Sequence, residues 1–329
     1  IRLEPPSAVL AERALFLCLG LDAHFVLLSR VDNRRNGERC HPASSTWCGV
    51  PARAARLMFG SSMQLDLEST LATARAIAKE AGAHALSGFR TGTTIHKKGR
   101  IDLVTKFDLE CEKLIRARLG DAFPTHRIVG EEQEATGEGE LVWYVDPIDG
   151  TTNFAHGHPF FCVSMALWRG DEPLVAVIEA PALAVTWSGA TGLGATRNAE
   201  VCRVSTTEVL GDALCGTGFA YNRVSAVDDN IAEHKTLLAH TRGVRRCGAA
   251  ALDLALVADG TYDVYWEQGL KPWDVAAGIL LVREAGGTIT DYAGGTRALL
   301  GGQLIAATPR LHGDAHALVL RARRESGVA

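Results

Sequence analysis

The chain has 329 residues, 47% of them hydrophobic and 22% charged, which is enough apolar material for one large core or two packed halves. Its 34 basic and 38 acidic residues leave a net charge of −4. That balance removes any global electrostatic reason to expect nucleic-acid binding, yet leaves room for a local acidic site that collects cations.

No run of 18 apolar residues occurs, so no membrane span is expected. The stretch Ala14–Leu28 is broken by Asp22 and His24, which argues against a signal peptide. None of the eight cysteines forms a C-x-x-C pair, so the zinc-ribbon and thioredoxin signatures are missing. Several lie in apolar runs such as Phe161-Cys162-Val163 and read as buried thiols, pointing to a reducing cytoplasm.

Residues 1–62 hold the polar run Asn33-Arg34-Arg35-Asn36-Gly37, three of the cysteines and no sustained period, and are expected to be an extension outside the main fold. From Leu65 the pattern sharpens: Leu67, Leu71, Ala74, Ala78 and Ala81 predict a long amphipathic helix to about Gly88. After an extended piece ending at Ile101–Val104, Thr105 is placed to cap a helix, with Asp108 reaching back and Phe107, Cys111, Leu114 and Ile115 on its inner face. Arg127–Val129 and Leu141–Val145 read as buried strands running into acidic residues. Phe161–Trp168, Leu174–Glu179 and Val185–Ser188 follow as strands, and Gly192–Gly194 with Arg197-Asn198 punctuate a further hairpin.

Beyond Ser205 the elements alternate. Strands are predicted at Ala213–Thr217, Tyr262–Trp266, Thr288–Asp291 and Leu304–Thr308, and helices at Asn230–His240, Ala249–Ala258, Trp273–Ala285 and Arg310–Arg321. The expectation is a mixed α/β protein with a metal-site α+β subdomain at 63–204 and an α/β subdomain at 205–325.

Three segments carry chemistry. In Val145-Asp146-Pro147-Ile148-Asp149-Gly150-Thr151-Thr152-Asn153-Phe154 an apolar strand is expected to end at Asp146, with a second carboxylate three residues on and a helix starting at Thr151. Carboxylates and a backbone carbonyl are the hard oxygen ligands Mg²⁺ prefers, and free amides at a helix start attract phosphate. An Asx turn with a helix cap would produce the same residues. Gly130-Glu131-Glu132 is a second strand-to-acid junction, although a solvated acidic loop reads the same way. Asp274 falls in the first turn of an apolar helix after Trp273, where a helix-dipole contact or a bound cation would explain it. Lys97 lies upstream, and Asp108 has a capping role open to it. No G-x-S-x-G elbow, P-loop or H-E-x-x-H is present, and His156 and His158 read as loop residues.

Taken together, Asp102-Leu103-Val104-Thr105 with Asp108, Glu131-Glu132, Asp146–Phe154, Trp273–Gly278 with Glu284-Ala285-Gly286-Gly287, and Leu304–Pro309 resemble the inositol monophosphatase family in order and spacing over about residues 65–325. The resemblance implies a layered α/β/α/β/α sandwich of the inositol monophosphatase and fructose-1,6-bisphosphatase type. It also implies a cytoplasmic, Li⁺-sensitive, Mg²⁺-dependent phosphatase, often a homodimer, acting on a small phosphorylated polyol or sugar, inositol monophosphate first. Histidinol phosphate and fructose 1,6-bisphosphate are alternative substrates, and a regulatory protein binding RNA polymerase is an alternative of another class.

Carried over by position, Glu131, Asp146 and the Ile148 carbonyl hold a first Mg²⁺, and Asp146, Asp149 and Asp274 a second. Glu131 shares a third. Thr151, oriented by Asp108, helps activate water. The Gly150 and Thr151 amides bind phosphate, while Asp149, Glu267, Asp274 and Ala250 meet the rest of the substrate. Lys97 and Glu132 stand near the cluster. The sequence departs from the family at Ala249, more often Ser or Thr, which weakens the implied inositol preference. Asp149–Phe154 favours the inositol-phosphatase branch over the nucleotide-bisphosphatase branch, which tends to carry Lys after the first Thr.

Overall fold

The structure, a computed structural model, describes residues 65–92, 95–97, 103–221 and 226–328. Residues 1–62, Asp102 and the Lys97 side chain lie outside the described residues, together with the expectations placed on them.

Asp66 caps the first helix, α1 (Leu67–Gly88), by accepting the Ser69 N–H at 3.2 Å. The antiparallel pair β1 (Ile95–Lys97) and β2 (Leu103–Thr105) leads into α2 (Lys106–Ala122), whose start is the expected capping box of Thr105 and Asp108. A seven-stranded sheet follows in chain order: β3 (Arg127–Gly130), β4 (Leu141–Asp149), then, after the five-residue helix α3 (Thr151–Ala155), β5 (Cys162–Arg169), β6 (Glu172–Ala180), β7 (Val185–Ala190), β8 (Gly194–Arg197) and β9 (Glu200–Val201). Only β3 and β4 run parallel; the other neighbours are antiparallel.

The second half alternates as β10 (Leu214–Thr217), α4 (Ile231–Leu238), β11 (Gly243–Arg245), α5 (Ala250–Ala258), β12 (Val264–Gln268), α6 (Pro272–Glu284), β13 (Thr288–Thr290), β14 (Gln303–Ala307) and α7 (Pro309–Ser326). Its five strands form a mixed sheet in the order β11-β10-β12-β14-β13.

The layering follows from which faces are apolar. On β6, Val175 and Val177 point to one core and Ala176, Ile178 and Ala180 to another. The same period of two splits β12, with Val264 and Trp266 on one side and Tyr265 on the other, and β14, with Ile305 and Ala307 opposite Leu304 and Ala306. Both sheets are therefore buried on two faces. Helices α1 and α2 cover the outer face of the larger sheet, α7 covers the outer face of the smaller, and α5 and α6 fill the space between. The result is the layered α/β/α/β/α sandwich.

The middle helices are apolar all round, as a helix buried between two sheets must be. Leu252, Leu254, Ala255, Val257 and Ala258 of α5 are buried, as are Val275 through Val282 of α6. Small residues let the two helices approach: a Cβ placed on Gly278 would lie 2.4 Å from the Leu254 Cβ.

Some element ends differ from expectation, each for a local reason. β12 starts at Val264 rather than Tyr262, because the Tyr262 N–H is spent on the Leu256 carbonyl in the turn closing α5. α7 runs Pro309–Ser326 rather than Arg310–Arg321: Pro309 fits the first helical turn, and Gly327, at φ 75°, closes the far end. Among the described residues no helix is long and apolar enough to cross a membrane.

Gly278→Ala is expected to destabilise the protein by ~1–3 kcal/mol through overpacking of the α5–α6 contact. Urea unfolding measures it, and an unchanged midpoint would show that the layer repacks freely.

Candidate active site

β4 does not end at Asp146. It continues to Asp149, but its register against β5 slips: Asp146 faces Ser164 and Asp149 faces Cys162, with Pro147 and Ile148 in between. Pro147 has no N–H to give the ladder, so the strand bulges where it sits. The bulge brings two carboxylates to one edge. The Asp146 side chain accepts the Ile148 N–H at 3.0 Å, and Asp149 accepts the Ala251 N–H of α5 at 2.7 Å. Gly150 then turns the chain in the left-handed region, φ 91°, where a Cβ would press on the Phe160 carbonyl and Ala249.

Thr151 opens α3, and its hydroxyl lies 3.0 Å from both the Asp108 Oδ1 and the Ile148 carbonyl. Asp108 thus does two jobs. Its other oxygen accepts the Thr105 N–H at 2.7 Å and the Thr105 hydroxyl at 2.6 Å, completing the cap of α2. Burial pushes the Asp108 carboxyl up, and the Thr105 bonds oppose that rise.

Glu131 directly follows β3, and its N–H donates to the Val145 carbonyl at 3.2 Å. The Glu132 and Gln133 N–H groups donate to the fully buried Glu112 at 2.7 and 3.0 Å. Arg116 completes this clamp, with its Nε 2.7 Å from Glu112 and its Nη2 3.0 Å from the Gln133 carbonyl. The site's loop is thereby fixed to α2. Neither Glu112 nor Arg116 stands out in the sequence; the signal for both is an acid on the apolar Cys111–Ile115 face with an arginine four residues on.

Asp274 sits in the first turn of α6 and accepts the Lys271 N–H at 2.7 Å. Glu267, on β12, accepts a short hydrogen bond from the Tyr265 hydroxyl.

Glu131, Asp146, Ile148, Asp149, Gly150, Thr151, Ala250, Glu267 and Asp274 all line one cavity of about 100 Å³. Asp108 stands behind Thr151 rather than in the lining, and Glu132 is likewise not part of the wall. Arg246, from the turn before α5, is a lining residue the sequence did not single out.

Five carboxylates around one small cavity cannot all carry charge at ordinary cost. Burial, then Glu131, Asp149 and Asp274, push Asp146 well up. Burial raises Asp149 to about 7, against the Ala251 N–H, with Glu267 and Glu131 adding to the rise. Asp274 rises through burial and Asp149, and Glu267 rises to about 7 through burial, eased by the Tyr265 hydroxyl. The donor set is all oxygen, four carboxylates and the Ile148 carbonyl, which suits a hard divalent cation. Among the described residues no three acidic, imidazole or thiol side chains already close on one point tightly enough to hold an ion. The carboxylates share a wall without converging.

All five described cysteines, Cys111, Cys162, Cys202, Cys215 and Cys247, are free, and the first four are buried, as their apolar neighbours suggested.

The model of the inositol monophosphatase family matches residues 66–327. An inositol-1-monophosphatase from Synechocystis is 42% identical over 250 residues, 75% of this chain and 87% of that protein. A Nus factor SuhB from Pseudomonas aeruginosa is also 42% identical, over 66% of this chain and 82% of its own length. The solved inositol monophosphatase of Anabaena superposes with a TM-score of 0.72 at 39% identity, covering 78% of this chain and 97% of that one. A bulged strand carrying two aspartates, a glutamate at the neighbouring strand end and a third aspartate at the start of α6 thus sit in a chain that belongs to the inositol monophosphatase family.

Proposed function

We propose that the protein is a Mg²⁺-dependent phosphatase that hydrolyses a small phosphate monoester of a polyol or sugar, inositol monophosphate first among them. One observation carries this reading: Glu131, Asp146, Asp149 and Asp274, scattered over 144 positions of sequence, face one cavity beside the Thr151 hydroxyl.

Glu131, Asp146 and the Ile148 carbonyl would hold one cation, and Asp146, Asp149 and Asp274 another. When bound, Mg²⁺ supplies Lewis acidity, making water a better nucleophile at neutral pH and neutralising charge on the phosphoryl oxygens. The chain's own groups do the rest. Thr151, held between Asp108 and the Ile148 carbonyl, accepts a hydrogen bond from the attacking water and orients it toward phosphorus. The Gly150 and Thr151 amides donate to phosphate oxygens. The water oxygen bonds to phosphorus, the ester P–O bond breaks, and the alcohol leaves with a proton from the water. Glu267 accepts from a substrate hydroxyl.

The description of the Pseudomonas aeruginosa relative as a Nus factor favours a second reading, a regulatory protein that contacts RNA polymerase. That role needs the surface but not turnover, so an inactive, folded variant separates the two.

Asp146→Asn is expected to abolish phosphate release while leaving the circular-dichroism spectrum intact. Mg²⁺ at a hundred times its Kd should stabilise the wild type by about 2.7 kcal/mol and this variant far less. Near-normal rates in Asp146→Asn would overturn the assignment.

The raised carboxyls make a pH prediction. Asp149 and Glu267 stand at about 7 in the fold, well above the ordinary carboxylate range, so the folded chain holds protons the unfolded chain has lost. In chelator, the stability they contribute is complete in acid and disappears as pH rises through about 7. Asp149→Asn removes one such group. Its melting temperature should therefore gain on the wild type between pH 6 and pH 8, although its activity is lost; a flat difference refutes the electrostatic account.

Glu112→Gln leaves one of the two clamped amides facing an amide donor instead of a carboxylate. The Mg²⁺ concentration for half-maximal activity should rise roughly 10- to 100-fold, as when an outer support of a ligand is lost. Unchanged Mg²⁺ dependence would show that Glu131 is positioned without the clamp.

A further inference from the structure

Asn230 stands immediately before α4, at the position whose side chain ordinarily caps a helix. It makes no such bond, and the Ile231 N–H is taken instead by the Asp229 carboxylate at 3.0 Å. Asn230 is fully buried, and its backbone lies in the left-handed region at φ 65°, which residues other than glycine seldom occupy. Its side chain is committed elsewhere. The Nδ2 donates to the Thr217 hydroxyl at 3.0 Å and to the Gly218 carbonyl at 2.6 Å, and the Oδ1 accepts the Trp266 indole N–H at 2.9 Å. Both amide hydrogens and the amide oxygen are thus engaged.

These partners surround Glu267. Trp266 precedes it on β12, and Thr217 on β10 is the ladder partner of Trp266, donating its hydroxyl to the Trp266 carbonyl at 2.7 Å. β10 ends at Thr217, so the pairing does not extend to Gly218. Gly218 nevertheless lies directly against the site: a Cβ placed on it would overlap the Glu267 carboxyl. Where the ladder stops, the Asn230 amide takes over and holds the backbone against which that carboxyl rests. Gly218 then leads into Phe219, Ala220 and Tyr221, which line the same cavity as Glu267.

We propose that Asn230 is a positioning residue for Glu267, and through it for recognition of the substrate's hydroxyl groups, an inference that rests on the phosphatase reading of this site. A carboxylate selects a hydroxyl only when it stands in a fixed place and direction. The Tyr265 hydroxyl fixes the Glu267 Oε2. The rest of the carboxyl's placement follows from the backbone of β12 and of Gly218, which Asn230 joins. Asn230 is not part of the cavity lining, so its effect passes through those neighbours. The left-handed backbone and the forgone helix cap are what it costs locally to bring the amide there.

The test compares two esters on the full chain with Mg²⁺: inositol 1-phosphate, whose alcohol presents hydroxyls to Glu267, and phenyl phosphate, whose leaving group presents none. The readout is the ratio of kcat/KM for the first to that for the second. Asn230→Gly removes the side chain and suits the left-handed backbone, which separates the hydrogen bonds from backbone strain. Glu267→Gln should lower the ratio roughly 10- to 100-fold, the range for a lost hydrogen bond to a charged group. Asn230→Gly should lower it roughly 3- to 10-fold, mainly through KM for inositol 1-phosphate, and should add nothing in the Glu267→Gln background, where the contact it serves is already gone. Thr217→Val, of nearly the same volume, should lower the ratio by a smaller factor, and it carries the test if Asn230→Gly does not fold. A variant that slows both esters equally, leaves the ratio unchanged, or adds its full loss to that of Glu267→Gln overturns the positioning role and leaves the phosphatase reading intact. Glu267→Gln with an unchanged ratio removes the hydroxyl contact and the positioning role together. A wild type that hydrolyses neither ester overturns the phosphatase reading itself.

Discussion

Carboxylates crowded into the lining of one small cavity repel, and most of what surrounds this site keeps them there. Asp146, Asp149, Glu267 and Asp274 are all pushed up by burial and by each other. Each is held by a donor from rigid backbone or a buried side chain: the Ile148, Ala251 and Lys271 N–H groups and the Tyr265 hydroxyl. Without these bonds the side chains would swing toward solvent, where their charge is cheaper. The function proposed here depends on that constraint, because a divalent cation gains most where negative charge is concentrated and least hydrated.

The fold supplies the constraint by bringing two sheets and two middle helices to one place. Asp146 and Asp149 come from the bulged end of β4, Glu131 from the parallel neighbour β3, Glu267 from β12 in the other sheet, and Asp274 from the start of α6. Their separation is set by how closely α5 and α6 pack between the sheets. Alanine and glycine at the contacts, such as Ala251, Ala276, Ala277 and Gly278, keep that layer thin and give it little room to adjust. The same layer delivers the Ala251 N–H to Asp149, so packing and electrostatics meet at one hydrogen bond.

Much of this was legible in the sequence because periodicity and capping are local. The period of two in β6, β12 and β14, the Thr105–Asp108 cap and the largely apolar character of α5 and α6 are each written in thirteen residues or fewer. The acidic motifs that line the cavity were legible for the same reason. What was not legible depends on distant chain segments. The passage of β4 through Pro147 depends on β5 supplying a partner for Asp149. Glu112 gains its role only when the loop after β3 folds over it, 20 residues on. Arg246 takes its place at the site only where Asn153, more than 90 residues earlier, fastens the turn that follows it.

Asp253 shows how far the site's acidity reaches. It lies in α5, buried, and among the described residues neither of its oxygens has a hydrogen-bond partner. Burial raises it well above the ordinary carboxylate range, with Glu267 and Asp149 adding to the rise. Ionising it would add another charge behind a lining that already holds five carboxyl groups. The crowding of acid around the cavity therefore reaches into the middle layer, where the Arg246 guanidinium opposes the rise.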